Sequence, residues 1–110
     1  MSEKQTKVLL LEDDAESADL VEQMMAAIKN RKVLSVSAPN LSKALELMKQ
    51  FSFDAIISDL DLPDSSGLNT FSALRAQDKR TPIIILTGID DASMAIQAVH
   101  QGAQDYLVKT

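Results

Sequence analysis

Cysteine and tryptophan are both absent from the 110 residues, and histidine occurs once. Without cysteine there is no disulfide framework, no thiolate metal site and no thiol nucleophile. That usage fits a reducing compartment, so a cytoplasmic protein is expected. Aromatic residues make up only 4% of the chain, so a core must be built mostly from Leu, Ile, Val, Ala and Met. There is no excess of basic charge: 11 Lys and Arg stand against 16 Asp and Glu, for a net charge of −5. With no basic stripe to release counterions from phosphates, direct nucleic-acid binding by this domain is not expected. The apolar runs are far too short to cross a bilayer and residues 1–7 are polar, so neither a membrane span nor a leader peptide is expected. Glycine and proline number three each, and no linker, repeat or low-complexity tract is present. What remains is 45% apolar and 25% charged, an ordinary globular composition with length for one core and not for two.

Hydrophobic spacing divides the chain into alternating short apolar runs and helical patterns. Residues 8–11 form a strand, left through Glu12, Asp13 and Asp14, and an Asp suits the N-cap of the helix that follows. Leu20, Val21, Met24, Ala27 and Ile28 read as one inward helix face, with Lys29 near its end. Residues 33–37 read as a second strand. Asn40 or Ser42 caps a second helix with Leu41, Ala44, Leu45, Met48 and Phe51 as its stripe. Residues 53–58 are the third strand, and a third helix turns Leu68, Phe71 and Leu74 inward before Thr81 and Pro82 break it. Residues 83–86 are the most hydrophobic strand. Asp90 or Asp91 caps a fourth helix running to Gln101, with Gly102 as its C-terminal stop, and residues 106–108 are a fifth strand. Strands that are apolar throughout and separated by helices predict an α/β fold with a parallel sheet covered on both faces. Right-handed crossovers make the flavodoxin-like strand order 2-1-3-4-5 the expected one.

All strands of a parallel sheet end at the same edge. That edge receives Glu12 and Asp13 from the first strand, Asp59 from the third, Thr87 from the fourth and Lys109 from the fifth. Asp59 follows the apolar Ala55, Ile56 and Ile57, and Asp61 and Pro63 follow it; alone, this stretch reads better as a strand with an ordinary charged loop behind it. The set reads differently. Two or three carboxylates together repel and favour a hard divalent cation with oxygen ligands, Mg2+ being the usual choice beside phosphate. A carboxylate can attack phosphorus to form an acyl phosphate. Phosphoryl transfer then needs positioning and charge neutralisation, which a metal, an ammonium and a hydroxyl can share. Asp59 is central and is the expected nucleophile, with Lys109 as charge clamp and Thr87 as hydroxyl donor.

Over essentially its full length the chain resembles the receiver domains of response regulators, the CheY-like superfamily. The resemblance rests on residues 8–13 for the acidic pair, on residues 58–63 with Gly67 for the acceptor and its loop, on residues 86–88, and on residues 106–109. It implies phosphorylation on Asp59. It also implies Mg2+ bound by Asp13 and Asp59 directly, by Glu12 through water and by the backbone carbonyl of Asp61. Asp14 is a helix cap by position and a further candidate for the site. Thr87 and Tyr106 would form a paired switch. The family's donor is a phosphohistidine on a sensor histidine kinase or a phosphotransfer protein, and its surface around the fourth helix and fifth strand recruits an output domain or partner. Such a domain is a signalling phosphoacceptor and not an enzyme, although it assists its own phosphorylation and dephosphorylation.

Two departures from the family pattern stand out. Thr110 replaces the proline that usually follows the lysine, where a cis bond would be expensive for any other residue. The family's fifth helix has no counterpart, so residues 1–110 are expected to be a receiver domain forming the N-terminal part of a longer protein. Part of strands three, four and five should then be bare, an interaction surface that a second copy could cover as a homodimer. Two other readings carry less. Asp59 and Asp61 also match the Asp-x-Asp signature of haloacid-dehalogenase-like phosphatases, but those carry it on the first strand and place further acids after the lysine. A non-phosphorylated flavodoxin-like binding module for a flavin phosphate would not place three carboxylates after strand one. Asp54 sits at the opposite end of its strand, and His100 reads as a dipole-favoured helix-end residue.

Overall fold

Leu9, Leu10, Leu11, Ile56, Ile83 and Ile85 are fully buried, as central strands covered by helices on both faces require. The structure is a computed structural model and describes residues 4–109; Thr110, and the peptide that joins it to Lys109, lie outside the described residues. The elements are β1 (Lys4–Leu11), α1 (Ala15–Ala26), β2 (Arg31–Ala38), α2 (Leu41–Gln50), β3 (Ala55–Asp59), α3 (Leu68–Gln77), β4 (Ile83–Thr87), α4 (Ala92–His100) and β5 (Asp105–Val108), with a 3-10 turn, Ile89–Asp91, before α4. The five strands are parallel in the order β2-β1-β3-β4-β5, as expected from the sequence. The strands extend past the apolar runs that predict them: β1 begins at Lys4 and β2 at Arg31, because the two pair along their whole lengths.

Alternation along the strands sorts the core into two layers. Leu9, Leu11, Ile56, Ile83 and Ile85 pack with Ala44 and Leu47 of α2, Phe71 and Leu74 of α3, and Ala95 and Ala98 of α4. Val8, Leu10, Ile57 and Leu86 point the other way and meet only α1, through Val21 and Met25. Among the described residues, three helices thus cover one face and a single helix the other. The helical stripe expected to face inward on α1 is accordingly corrected: Leu20 and Met24 are 47% and 59% exposed, and Ile28 lies beyond the helix end and is 50% exposed. They flank an apolar trough of about 480 Å³ floored by Ile57, Leu86, Leu107 and Val108. The trough lies against β3, β4 and β5, on the face opposite the three-helix layer.

Local capping explains where the helices begin. The Asp14 carboxylate accepts the Ser17 N–H at 3.3 Å, and the Asn40 side chain accepts the Lys43 N–H at 2.8 Å, settling the first two caps. The third expected cap is not formed. Asp91 occupies the position but makes no side-chain bond, because the preceding turn holds its backbone near ψ 11 and not in the extended conformation a cap needs. Phe51 likewise falls past the end of α2 and is exposed, while Leu47, absent from the expected stripe, is buried. Gly102, at φ 120, ends α4 as foreseen.

The unequal covering of the two faces is testable. Leu9→Ala, in the fully packed layer, is expected to cost about 2–5 kcal/mol, whereas Met24→Ala on the trough should change stability by no more than about 0.5 kcal/mol. Urea denaturation of both variants checks this, and equal losses would contradict the layering.

Candidate functional site

The register of the sheet assembles the site. Leu11 pairs with Ser58 across β1 and β3, so Glu12 and Asp59, one residue further on, lie side by side. Thr87 pairs with Val108 at the end of β4 and β5, which brings Lys109 to the same edge. The Lys109 N–H donates to the Thr87 carbonyl at 2.6 Å, carrying the β5 alignment one residue past the strand.

Three acids and one base meet there. Carboxylate oxygens of Glu12, Asp13 and Asp59 lie within 4.8 Å of one another. Lys109 Nζ sits 2.5 Å from Asp59 Oδ2 and 2.6 Å from Glu12 Oε2. Asp59 Oδ1 accepts the Asp61 N–H at 2.9 Å. Glu12 is buried; its Oε1 accepts the Asp14 N–H at 3.1 Å, while Oε2 meets Lys109 as an ion pair without hydrogen-bond geometry and is otherwise unpartnered. Burial pushes the Glu12 carboxyl above the usual range and the Asp59 charge adds to this, against the opposing pull of Lys109 and the Asp14 amide. For Lys109, burial is the largest single influence and pulls downward, but Asp59 and Glu12 together outweigh it and hold the ammonium above its usual range.

Three carboxylates against one ammonium leave an uncompensated negative charge, and Glu12 Oε2 is a buried acceptor with room for a further donor or cation. The donor set is all oxygen, as Mg2+ prefers. A spread of up to 4.8 Å exceeds the roughly 4.2 Å span of an octahedron with bonds of about 2.1 Å, so one acid would act through water or close slightly. The residues therefore fit a hard divalent cation.

The other expected residues fall as follows. Thr87 is buried and its hydroxyl donates to the Gly88 carbonyl at 3.2 Å. Asp61, Gly67, Thr87, Asp91 and Met94 line a cavity of about 250 Å³ with Asp59. The larger trough on the other face has only Lys109 at its rim from this set and is apolar, whereas the smaller cavity opens on Asp59 and Thr87. Tyr106 is half-buried against the three-helix core layer. Asp14 is exposed and committed to its cap, outside the cluster of three acids. Asp54 accepts the Lys7 N–H at the far end of β3. His100 is exposed at the end of α4.

Sequence reasoning missed several neighbours. Asp91, at the end of the 3-10 turn, and Met94, in the first turn of α4, reach the cavity. Gly67 has φ 62, a conformation that favours glycine, and a Cβ there would lie 3.2 Å from Met94 Sδ, so the methionine would have to give way. Thr70 is fully buried and donates to the Leu60 carbonyl at 2.8 Å, and its hydroxyl meets Ser65 Oγ at 2.7 Å. A threonine on an otherwise apolar inward face was the available signal.

The burial of Glu12 has a pH signature in the metal-free protein. A carboxyl raised above its unfolded value favours folding while protonated, and that contribution fades as pH climbs past about 4.5 and through the raised value. Glu12→Gln removes the fade. The stability difference, variant minus wild type, is expected to grow between acid and neutral pH in thermal melts with chelator. A difference that is flat or shrinks would contradict the burial effect.

Comparison with known proteins agrees with this geometry. The family profile described as response regulator receiver domain matches residues 8–110. The cell cycle transcriptional regulator CtrA of Caulobacter vibrioides is 34% identical over 104 residues, 94% of this chain and 43% of that protein. The response regulator protein PilR of Pseudomonas aeruginosa is 32% identical over 103 residues, 94% of this chain and 22% of that protein. The chain thus spans less than half the length of these curated relatives. Among solved structures, a putative response regulator from Chloroflexus aurantiacus superimposes with a TM-score of 0.82 at 30% identity, covering 96% of this chain and 86% of the other. The receiver domain of the sensor histidine kinase PA1611 from Pseudomonas aeruginosa, solved with a magnesium ion in its active site cleft, gives 0.78 at 28% identity, covering 96% and 85%. The profile match and the CtrA relationship, on a sheet that gathers Glu12, Asp13, Asp59 and Lys109 at one edge, establish that this chain belongs to the response regulator receiver domain family.

Proposed function

We propose that the domain accepts a phosphoryl group on the Asp59 carboxylate, from a phosphohistidine of a sensor histidine kinase or phosphotransfer protein. The observation that carries this is the 2.5 Å contact between Lys109 Nζ and Asp59 Oδ2 beside the cluster of acids. An Asp59 oxygen attacks phosphorus, the phosphorus–nitrogen bond of the donor breaks with its electron pair staying on that nitrogen, and a donor ring already protonated on its other nitrogen leaves as neutral imidazole. Asp13, Asp59 and the backbone carbonyl of Asp61, with Glu12 through water, would hold Mg2+, which supplies positive charge to the phosphoryl oxygens. Lys109, already against Asp59, re-pairs with a phosphoryl oxygen as the carboxylate becomes an acyl phosphate and loses its charge. The geometry supports this order: the ammonium is in place before any phosphoryl group arrives, so little reorganisation is needed.

The remaining groups take the response outward. The Thr87 hydroxyl has only a 3.2 Å bond to the neighbouring Gly88 carbonyl, and in this reading it turns to the phosphoryl group. Tyr106, half-buried on β5 opposite Ile85, moves inward in concert, and the surface of α4 and β5 changes for an output domain or partner. A receiver joined to further chain is the arrangement suggested by the curated relatives, of which the matched part is under half. In this reading the exchange takes place in the cytoplasm, which the absence of cysteine suits.

Incubation with Mg2+ and a small acyl phosphate is expected to add one phosphoryl group that is lost at alkaline pH, and Asp59→Asn should abolish the uptake. Intact-mass measurement reads both. Undiminished labelling of the variant, or equal labelling in chelator, would overturn the assignment.

A further inference from the structure

The segment after Asp59 carries the carbonyl assigned to the metal, yet it is an exposed loop with no ladder of its own. Residues 62–65 close a β-turn, with Leu62 N–H to Ser65 O at 2.8 Å and Ser65 N–H to Leu62 O at 3.3 Å, and Pro63 stands at the turn position it favours. Its base is fixed from inside: Thr70 Oγ1 donates to the Leu60 carbonyl at 2.8 Å and meets Ser65 Oγ at 2.7 Å. Its tip is fixed from outside. The Asp64 carboxylate accepts the Leu41 N–H at 2.8 Å on one oxygen and the Ser42 N–H at 2.9 Å on the other.

These two donors are free N–H groups of the first turn of α2, where the helix dipole favours a negative charge. The cap of α2 is otherwise complete, since Asn40 takes the Lys43 N–H. Asp64 therefore does not serve as the helix's own cap; it reaches across 23 residues of sequence to tie the turn to a rigid element. The two N–H bonds also hold its carboxyl below the usual aspartate range. Asp61, between Leu60 and Leu62, is thereby held on both flanks, and its own N–H is spent on Asp59.

We infer that Asp64 is a positioning residue for the phosphoacceptor site, fixing the Asp61 carbonyl and the Asp59 carboxylate by anchoring their turn to the N-terminus of α2. The inference deepens the receiver reading and rests on it for the consequence, though the anchor can be tested apart from it. The comparison needed is Asp64→Ala against Asn40→Ala, which weakens the same helix end without touching the turn.

In the metal-free 110-residue protein, amide exchange followed by NMR is expected to quicken severalfold at Asp61 and Ser65 in Asp64→Ala, but only at Lys43 in Asn40→Ala. In calorimetric titration with Mg2+, Asp64→Ala should bind about tenfold more weakly, the scale of a lost outer-shell support. Asp64→Asn, which keeps one acceptor oxygen, should recover part of the loss, and Asn40→Ala should stay within about twofold of wild type on the same scale. If Asp64→Ala leaves exchange at Asp61 and Mg2+ affinity unchanged, or Asn40→Ala produces the same losses, the inference is overturned. If the turn loosens but the wild-type protein takes up no Mg2+, the anchor stands and the receiver chemistry falls.

Discussion

The Lys109 ammonium lies between two carboxylates that neighbouring strands force together. Glu12 and Asp59 follow the paired residues Leu11 and Ser58, so the parallel register alone makes them adjacent. Two carboxylates about 4–5 Å apart repel by roughly 3–4 kcal/mol at an effective dielectric of 20. Lys109, at 2.5 and 2.6 Å from them, offsets that repulsion. The compensation is incomplete, because Asp13 adds a third negative charge and Glu12 Oε2 keeps a buried, poorly partnered lone pair. A site of this kind is stable enough to fold and remains receptive to another cation.

The rest of the fold serves to hold those groups at one edge while leaving them reachable. Apolar packing fixes β1 and β4 up to Leu11 and Leu86, their last buried apolar residues, and Leu60 and Leu62 anchor the chain just beyond β3. Beyond them the polar groups begin abruptly, so the rigid sheet positions side chains that the loops alone could not. The loop that needs most support, residues 60–66, is held by Thr70 from the core and by Asp64 from α2. On the opposite face α1 stands alone, and Leu20, Met24, Leu107 and Val108 remain open. The acidic site and this apolar trough meet at Lys109, which lines the trough and binds the acids.

Much of this could be read from the sequence, and the reasons are physical. Continuously apolar runs such as residues 83–86 have few alternatives to a buried parallel strand, and from that the common edge of Glu12, Asp59, Thr87 and Lys109 followed without coordinates. Capping by Asp14 and Asn40 was legible because N-cap bonds are local. What failed depends on distant partners or on backbone detail. Leu20, Met24 and Ile28 have the spacing of a core stripe, and which described elements pack on that face, a matter of distant partners, sets their exposure. Asp91 has the identity of a cap but lacks the dihedral angles. Asp64 reads as a turn residue, and nothing near it in sequence reveals its two bonds to α2.

The central claim is that one carboxylate among several at this edge receives the phosphoryl group. Its location can be read directly by treating the phosphorylated protein with borohydride, which reduces an aspartyl phosphate to homoserine, and sequencing the peptides by mass spectrometry. The account predicts homoserine at position 59, dependent on Mg2+, with Asp13 and Asp61 unchanged. Homoserine at either of those positions, or none at 59 after phosphoryl uptake, would contradict it.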